Sequence, residues 1–129
     1  MTADSRRTAI IIVDHGSRRQ ASNEMLEAAA RAYAERGEFE VVEAAHMELA
    51  EPTIATAFRR CVERGAGYVV VFPYFLSPGR HWTVDIPELV QRAAAAFPGV
   101  EWTVTAPFGL HPRMGDIISE RIRESLSKH

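Results

Sequence analysis

"TAIIIVDHGSRRQASNEMLEAAARAYAERG", residues 8 to 37, decides the fold. Its first part, "TAIIIVDHG", is a short β-branched run closed by Gly16, which reads as a buried strand. The part that follows is Ala-rich, places Met25, Leu26, Ala29 and Tyr33 at helical spacing, and stops at Gly37. The unit is therefore strand, polar turn, helix. The same alternation recurs down the chain. "FEVVEAAHMEL" (39 to 49) predicts a second strand, and "EPTIATAFRRCVERG" (51 to 65) a second helix with Pro52 near its first turn. "YVVVFPYFL" (68 to 76) predicts a third strand that bends at Pro73, and "VDIPELVQRAAAAF" (84 to 97) a third helix. "VEWTVTAPFG" (100 to 109) and the remainder from His111 supply the fourth pair. Four strands separated by helices imply right-handed crossovers, hence an α/β, three-layer, flavodoxin-like fold with a four-stranded parallel sheet and helices on both faces.

Bulk composition narrows the function classes. The chain has 129 residues, 47% of them hydrophobic and 25% charged, which fits a single domain spanning 1–129 with its core at about 8–126. The 15 Lys and Arg are scattered and the net charge is −2, so no nucleic-acid footprint or polybasic membrane patch stands out. Cys61, the single cysteine, forms no disulfide or thiolate cluster within one chain and suits a reducing, cytoplasmic setting. No apolar stretch is long enough to cross a membrane. Neither G-x-x-x-x-G-K-[ST] nor a G-x-G-x-x-G after the first strand is present, so nucleotide cradling is not expected. Ser17 and Ser77 sit near histidines but not in a G-x-S-x-G elbow.

Chemistry collects where strands end. In a parallel α/β sheet the ligand crevice lies outside the carboxyl ends of the strands. His15 leaves the first strand in "VDHGSRRQ", Glu48 the second in "AHMELAEP", His81 the third in "SPGRHWTVD" and His111 the fourth in "APFGLHPRM". Imidazole with carboxylate is a borderline donor set for divalent first-row metals, and without thiolates such a site would be open and exchangeable. His15 follows an apolar strand with only polar or small neighbours, and a Pro-Gly turn presents Arg80 and His81. Each therefore has a reason to face solvent. Glu48 reads equally as a solvated strand end. His46 reads equally as a satisfied core residue, and Asp85 as a helix cap.

Four motifs in order, "DHGSR", "ELAEPTI", "PGRHWTVDIP" and "APFGLHPRM", closely resemble the short, single-domain sirohydrochlorin chelatases, the CbiX-like cobaltochelatases and ferrochelatases of class II. The resemblance covers nearly all of residues 8 to 126; Ser77 and Trp82 depart from the usual pattern. It implies ATP-independent insertion of a divalent metal, Co2+, Fe2+ or Ni2+, into sirohydrochlorin or a related tetrapyrrole, in cobalamin or sirohaem biosynthesis. The metal is then a substrate, and no permanently bound cofactor is expected. By the family's pattern His15 and His81 hold the metal and take up pyrrole protons; Glu48 can accept a proton or offset the cation's charge during the handover. The macrocycle's many carboxylates call for guanidinium partners, and Arg18, Arg19, Arg80 and Arg113 stand in the same loops, with Ser17 and Trp82 beside them. A tetrapyrrole is about as wide as such a sheet, so a homodimer is implied, with no nucleic-acid or membrane partner. The competing reading is a non-catalytic tetrapyrrole or metal carrier, or a sensor module, using the same histidines.

Overall fold

The computed structural model describes residues 7–77 and 79–128. The side chains of Arg80, His81, Trp82 and Thr83 lie outside the described residues. Eight elements alternate as expected: β1 (Thr8–Asp14), α1 (Gln20–Glu35), β2 (Val41–His46), α2 (Ile54–Glu63), β3 (Tyr68–Pro73), α3 (Arg80–Ala94), β4 (Glu101–Val104) and α4 (Met114–Leu126). All strand pairs are parallel, in the order β2-β1-β3-β4. The chain moves from β1 to one side to form β2, then crosses back past β1 to form β3 and continues outward to β4. Because each crossover is right-handed, reversing direction moves the helices to the other face. Accordingly α1 packs on β1 and β2, and α2 and α3 pack on each other and on the opposite face. The reversal leaves a crevice between the carboxyl ends of β1 and β3, the switch point where such sheets take ligands.

The core explains why β1 is central. Ala9 through Val13 are all buried, since both faces and both edges of that strand are covered. Its odd-numbered residues join Val69, Val71, Ala57, Phe58, Ile86 and Val90 beneath α2 and α3. Ile10 and Ile12 join Leu26 and Ala30 beneath α1. β3 is covered on one side only. Val69 and Val71 are fully buried, but the alternate residues Val70 and Phe72 are half-buried. Thr53 caps α2 by accepting from the Thr56 N–H at 3.1 Å, a contact worth about 1 kcal/mol. Among the described residues, no helix is long and apolar enough to cross a membrane.

Three boundaries differ from expectation. α3 begins at Arg80 rather than near Val84, because Gly79, at φ 48, turns the chain directly into the helix. Residue 81 thus sits in the first helical turn, and Asp85 lies in the second turn instead of at a cap. β2 ends at His46, where the chain loops out and returns so that His46 N–H donates to the Pro52 carbonyl at 2.8 Å. Pro52 therefore precedes the Thr53 cap and lies outside α2. β4 stops at Val104, and "TAPFG" leaves the sheet as a loop.

Candidate functional site

Backbone pairing continues past the ends of β1 and β2. The Met47 N–H donates to the Asp14 carbonyl at 2.9 Å and the Glu48 N–H to the His15 carbonyl at 3.1 Å. Residues 15 and 48 are thereby held side by side beyond the sheet's carboxyl edge. Their side chains meet, with His15 Nε2 3.5 Å from Glu48 Oε1, each about half exposed. Gly16 makes this approach possible. A Cβ there would lie 1.9 Å from the Glu48 carbonyl oxygen, and its φ of +94 is one that L side chains rarely adopt.

The loop after His15 is pinned by its helix. Ser17 N–H donates to Asn23 Oδ1 at 3.0 Å, and Asn23 Nδ2 donates back to the Ser17 carbonyl at 2.8 Å. Ser17 Oγ accepts from the Arg19 N–H at 2.9 Å, so the hydroxyl shapes the turn. Arg18 and Arg19 remain exposed on the rim. On the other flank, the Tyr74 N–H donates to the Val13 carbonyl at 2.7 Å, extending the β1–β3 pairing toward the turn that starts α3. The first turn of α3, which carries Arg80, His81 and Trp82, therefore follows the strand next to β1; those three side chains lie outside the described residues. Arg113 is exposed at the start of α4, where its N–H donates to His111 Nδ1 at 3.1 Å. His111 thus serves the turn locally. A cleft of about 290 Å3 opens on the other side of Glu48, lined by Met47, Asp85, Glu88, Leu89 and Arg92.

Beneath the pair lies an arrangement that sequence reasoning missed. His46, fully buried, has Nδ1 2.6 Å from Asp14 Oδ1 and Nε2 3.1 Å from Glu27 Oε2. Burial alone pulls its pKa down, but its hydrogen bonds to Glu27 and Asp14 and the two carboxylate charges outweigh that and leave it raised. A carboxylate facing each ring nitrogen favours the protonated imidazole, which would donate from both and tie β2 to β1 and to α1. The available signal was Asn23 and Glu27, polar residues four apart on the helix face that also buries Leu26 and Ala30. Cys61 takes no part. It is buried in the core, and its thiol is pushed up to about 12, by burial first and then by the Glu43 charge. Among the described residues, no group of three or more His, Cys, Asp or Glu gathers into a metal cage. Phe75 packs against the core, whereas Leu76 is exposed near the edge.

The structure is thus a parallel α/β sheet with an accessible imidazole–carboxylate pair at its carboxyl edge, beyond β1 and β2 and beside the switch point. The comparisons with known proteins go further. The CbiX family model matches residues 9–125, and the chain belongs to that family. It is 52% identical over 118 residues to the sirohydrochlorin ferrochelatase, chloroplastic, of Arabidopsis thaliana, a match that covers 92% of this chain and 52% of that protein. The chain thus spans about half the length of that relative. Among solved structures it is similar to a putative cobalamin (vitamin B12) biosynthesis CbiX protein from Marinobacter aquaeolei VT8, with a TM-score of 0.81 and 34% identity over 95% of this chain and 99% of that one. It is also similar to the sirohydrochlorin chelatase SirB from Bacillus subtilis subspecies spizizenii in complex with cobalt, with a TM-score of 0.80 and 32% identity over 92% of this chain and 50% of that one.

Proposed function

We propose that the protein inserts a divalent metal ion into sirohydrochlorin or a related tetrapyrrole, without nucleotide hydrolysis, as one chelatase-like unit covering about residues 8–126. The observation that carries this reading is the His15–Glu48 pair, 3.5 Å apart, half exposed, and fixed by backbone hydrogen bonds at the sheet's carboxyl edge. The named activity of the Arabidopsis relative and the cobalt bound to the Bacillus one support it. Insertion exchanges one divalent cation for two pyrrole N–H protons. The ion must shed waters and the protons need acceptors that work near neutral pH. A neutral imidazole does both, as ligand and as base. In this reading His15 and His81 hold the incoming ion and, as it leaves them for the ring, take up the two pyrrole protons in its place and pass them to water, with Glu48 accepting a proton or offsetting the cation's charge during the handover. Nitrogen and oxygen donors without thiolate bind the ion loosely enough to release it. Co2+, Fe2+ and Ni2+ all suit such donors, and the metal enters as substrate with no resident cofactor assigned.

Arg18, Arg19, Arg80 and Arg113 are assigned to the macrocycle's carboxylates, with Ser17 shaping the loop and Trp82 against the ring. One sheet edge gives one wall for so wide a ligand, so two copies pairing as a homodimer complete the cleft. A cytoplasmic setting fits the single free thiol. The test is the initial rate of Co2+ insertion into sirohydrochlorin, followed by absorbance, for the parent, His15→Ala, His81→Ala and the double variant. Each single replacement should lower the rate by about 10²-fold or more, and the double should lose little beyond the worse single. Near-parental rates in either single variant would overturn the assigned roles. Stoichiometric uptake without turnover would make the protein a carrier.

A further inference from the structure

His46 lies at the base of both loops that carry the His15–Glu48 pair. Across from β1 it stands opposite Asp14 in the strand register, and its ring meets the Asp14 carboxylate at 2.6 Å. Its Cβ lies 3.2 Å from where a Gly16 Cβ would stand. His46 thus bears on the residues to either side of His15. On β2 it is the last residue of the strand and also the point where the next loop closes: its N–H donates to the Pro52 carbonyl, and a parallel bridge pairs it with Thr53. Glu48 rides on the loop between. The far ring nitrogen, Nε2, reaches Glu27 on α1 at 3.1 Å. Asn23, one turn before Glu27, holds Ser17 by two hydrogen bonds. One face of α1 therefore grips the 14–17 turn at both ends, directly at Ser17 and through His46 at Asp14.

We infer that His46 is a positioning residue for the His15–Glu48 pair, setting the separation of the two side chains through Asp14 on one loop and through the closure of the other. The inference rests on the function proposed above and deepens it by naming what holds the donors in place. Filling of the core does not account for the residue. An apolar side chain would occupy the space, but such contacts have no direction, whereas two carboxylates at opposite ring nitrogens fix the ring plane and the place of each partner. The side chains of Asp14 and Glu27 are 22 and 30% exposed, so each could turn to water without the ring. His46 keeps Asp14 turned inward, and Asp14 adjoins His15. The two bonds differ in what they reach: the one to Asp14 acts beside His15, while the one to Glu27 anchors the ring to the helix. A cation that exchanges in and out depends on donors already held at their spacing, and groups that orient a metal-binding side chain typically change affinity by about 10–100-fold.

The experiment measures Co2+ binding to the full chain by isothermal titration calorimetry, without macrocycle, beside thermal unfolding. At position 46 an Asn amide can reach Asp14 as Nδ1 does but not Glu27, and a Gln amide can reach Glu27 as Nε2 does but not Asp14. Each keeps one hydrogen bond, so His46→Asn and His46→Gln should melt at similar temperatures. Their Co2+ affinities should part, His46→Asn staying within about 3-fold of the parent and His46→Gln weakening by roughly 10-fold or more. Glu27→Ala deletes the same bond as His46→Asn and should match it. Asp14→Ala deletes the same bond as His46→Gln, should match that variant, and stands in for it if it does not fold. Equal losses in the Asn and Gln variants, affinities that track melting temperature, parental affinity in His46→Gln, or failure of both His46→Gln and Asp14→Ala to fold would overturn the positioning role. A Co2+ affinity that His15→Ala leaves unchanged would instead overturn the site reading itself; the positioning role fails alone when His15→Ala weakens binding and His46→Gln does not.

Discussion

Replacing Gly16 by alanine tests whether the site is held by the close approach of two loops. The new Cβ would stand 1.9 Å from the Glu48 carbonyl oxygen, 1.5 Å short of the 3.4 Å at which ordinary contact begins, and 3.2 Å from the His46 Cβ. Neither neighbour is a flexible side-chain end. One is backbone, and the other belongs to the buried imidazole bound by Asp14 and Glu27. A φ of +94 adds strain of about 1–2 kcal/mol for an L residue, and overpacking of this kind adds about 1–3 kcal/mol. The sum, about 2–5 kcal/mol, is a large share of a typical domain stability. Two other glycines separate the terms. Gly37 has φ +78 with nothing within 4 Å, so Gly37→Ala carries strain alone; Gly99 has neither strain nor overlap, so Gly99→Ala should be neutral or slightly stabilising. Urea unfolding should rank the variants Gly99→Ala, Gly37→Ala, Gly16→Ala in falling midpoint, with Gly16→Ala melting about 10 °C or more below the parent. Its Co2+ insertion rate should fall as well, because the Glu48 carbonyl can yield only by moving Glu48 away from His15. A Gly16→Ala protein no less stable than Gly37→Ala would refute the claim that this contact shapes the site.

Two further outcomes follow from the same residues. His46→Leu should destabilise the fold by about 2–4 kcal/mol by leaving Asp14 and Glu27 without their shared cation. Because His46 has a raised folded pKa, its contribution is fully present below about 6.5 and fades as pH climbs through the raised value; the parent's advantage over His46→Leu should therefore shrink between pH 6 and 9, and a constant difference would contradict a charged imidazole. Arg18→Ala or Arg113→Ala should raise KM for the macrocycle by the equivalent of about 1–3 kcal/mol with little change in kcat, and an unaltered KM in both would remove them from substrate binding.

Most of the sheet could be read directly because its strands are buried on one or both faces. "TAIIIV" and "YVVVF" are uninterrupted β-branched or apolar runs, and that continuity is the mark of a parallel strand. The pairing of position 15 with position 48 was also within reach, since both follow strands and strand ends share one edge. The start of α3 was not. The run from Val84 suggested a start there, yet what starts α3 is the positive φ at Gly79, a backbone property that composition does not reveal. Nor was the Asp14–His46–Glu27 contact, which needs the β1–β2 register that sets Asp14 opposite His46 and the packing of α1 over both. That α4 leaves Ile117, Ile118, Ile122 and Leu126 exposed is a matter of packing, which the order of residues alone does not carry.

The loops that carry His15 and Glu48 are held by main-chain atoms and by a glycine, while the two side chains themselves stand half in solvent. Both side chains stand outside the buried core, so positions 15 and 48 are sockets that can be refilled. In the proposed reading, exchanging the imidazole at position 15 for a carboxylate hardens the donor set toward oxygen-preferring ions in a single mutational step. On that reading choice of metal and integrity of the scaffold reside on separate atoms, and under selection the first is free to drift while the second stays in place.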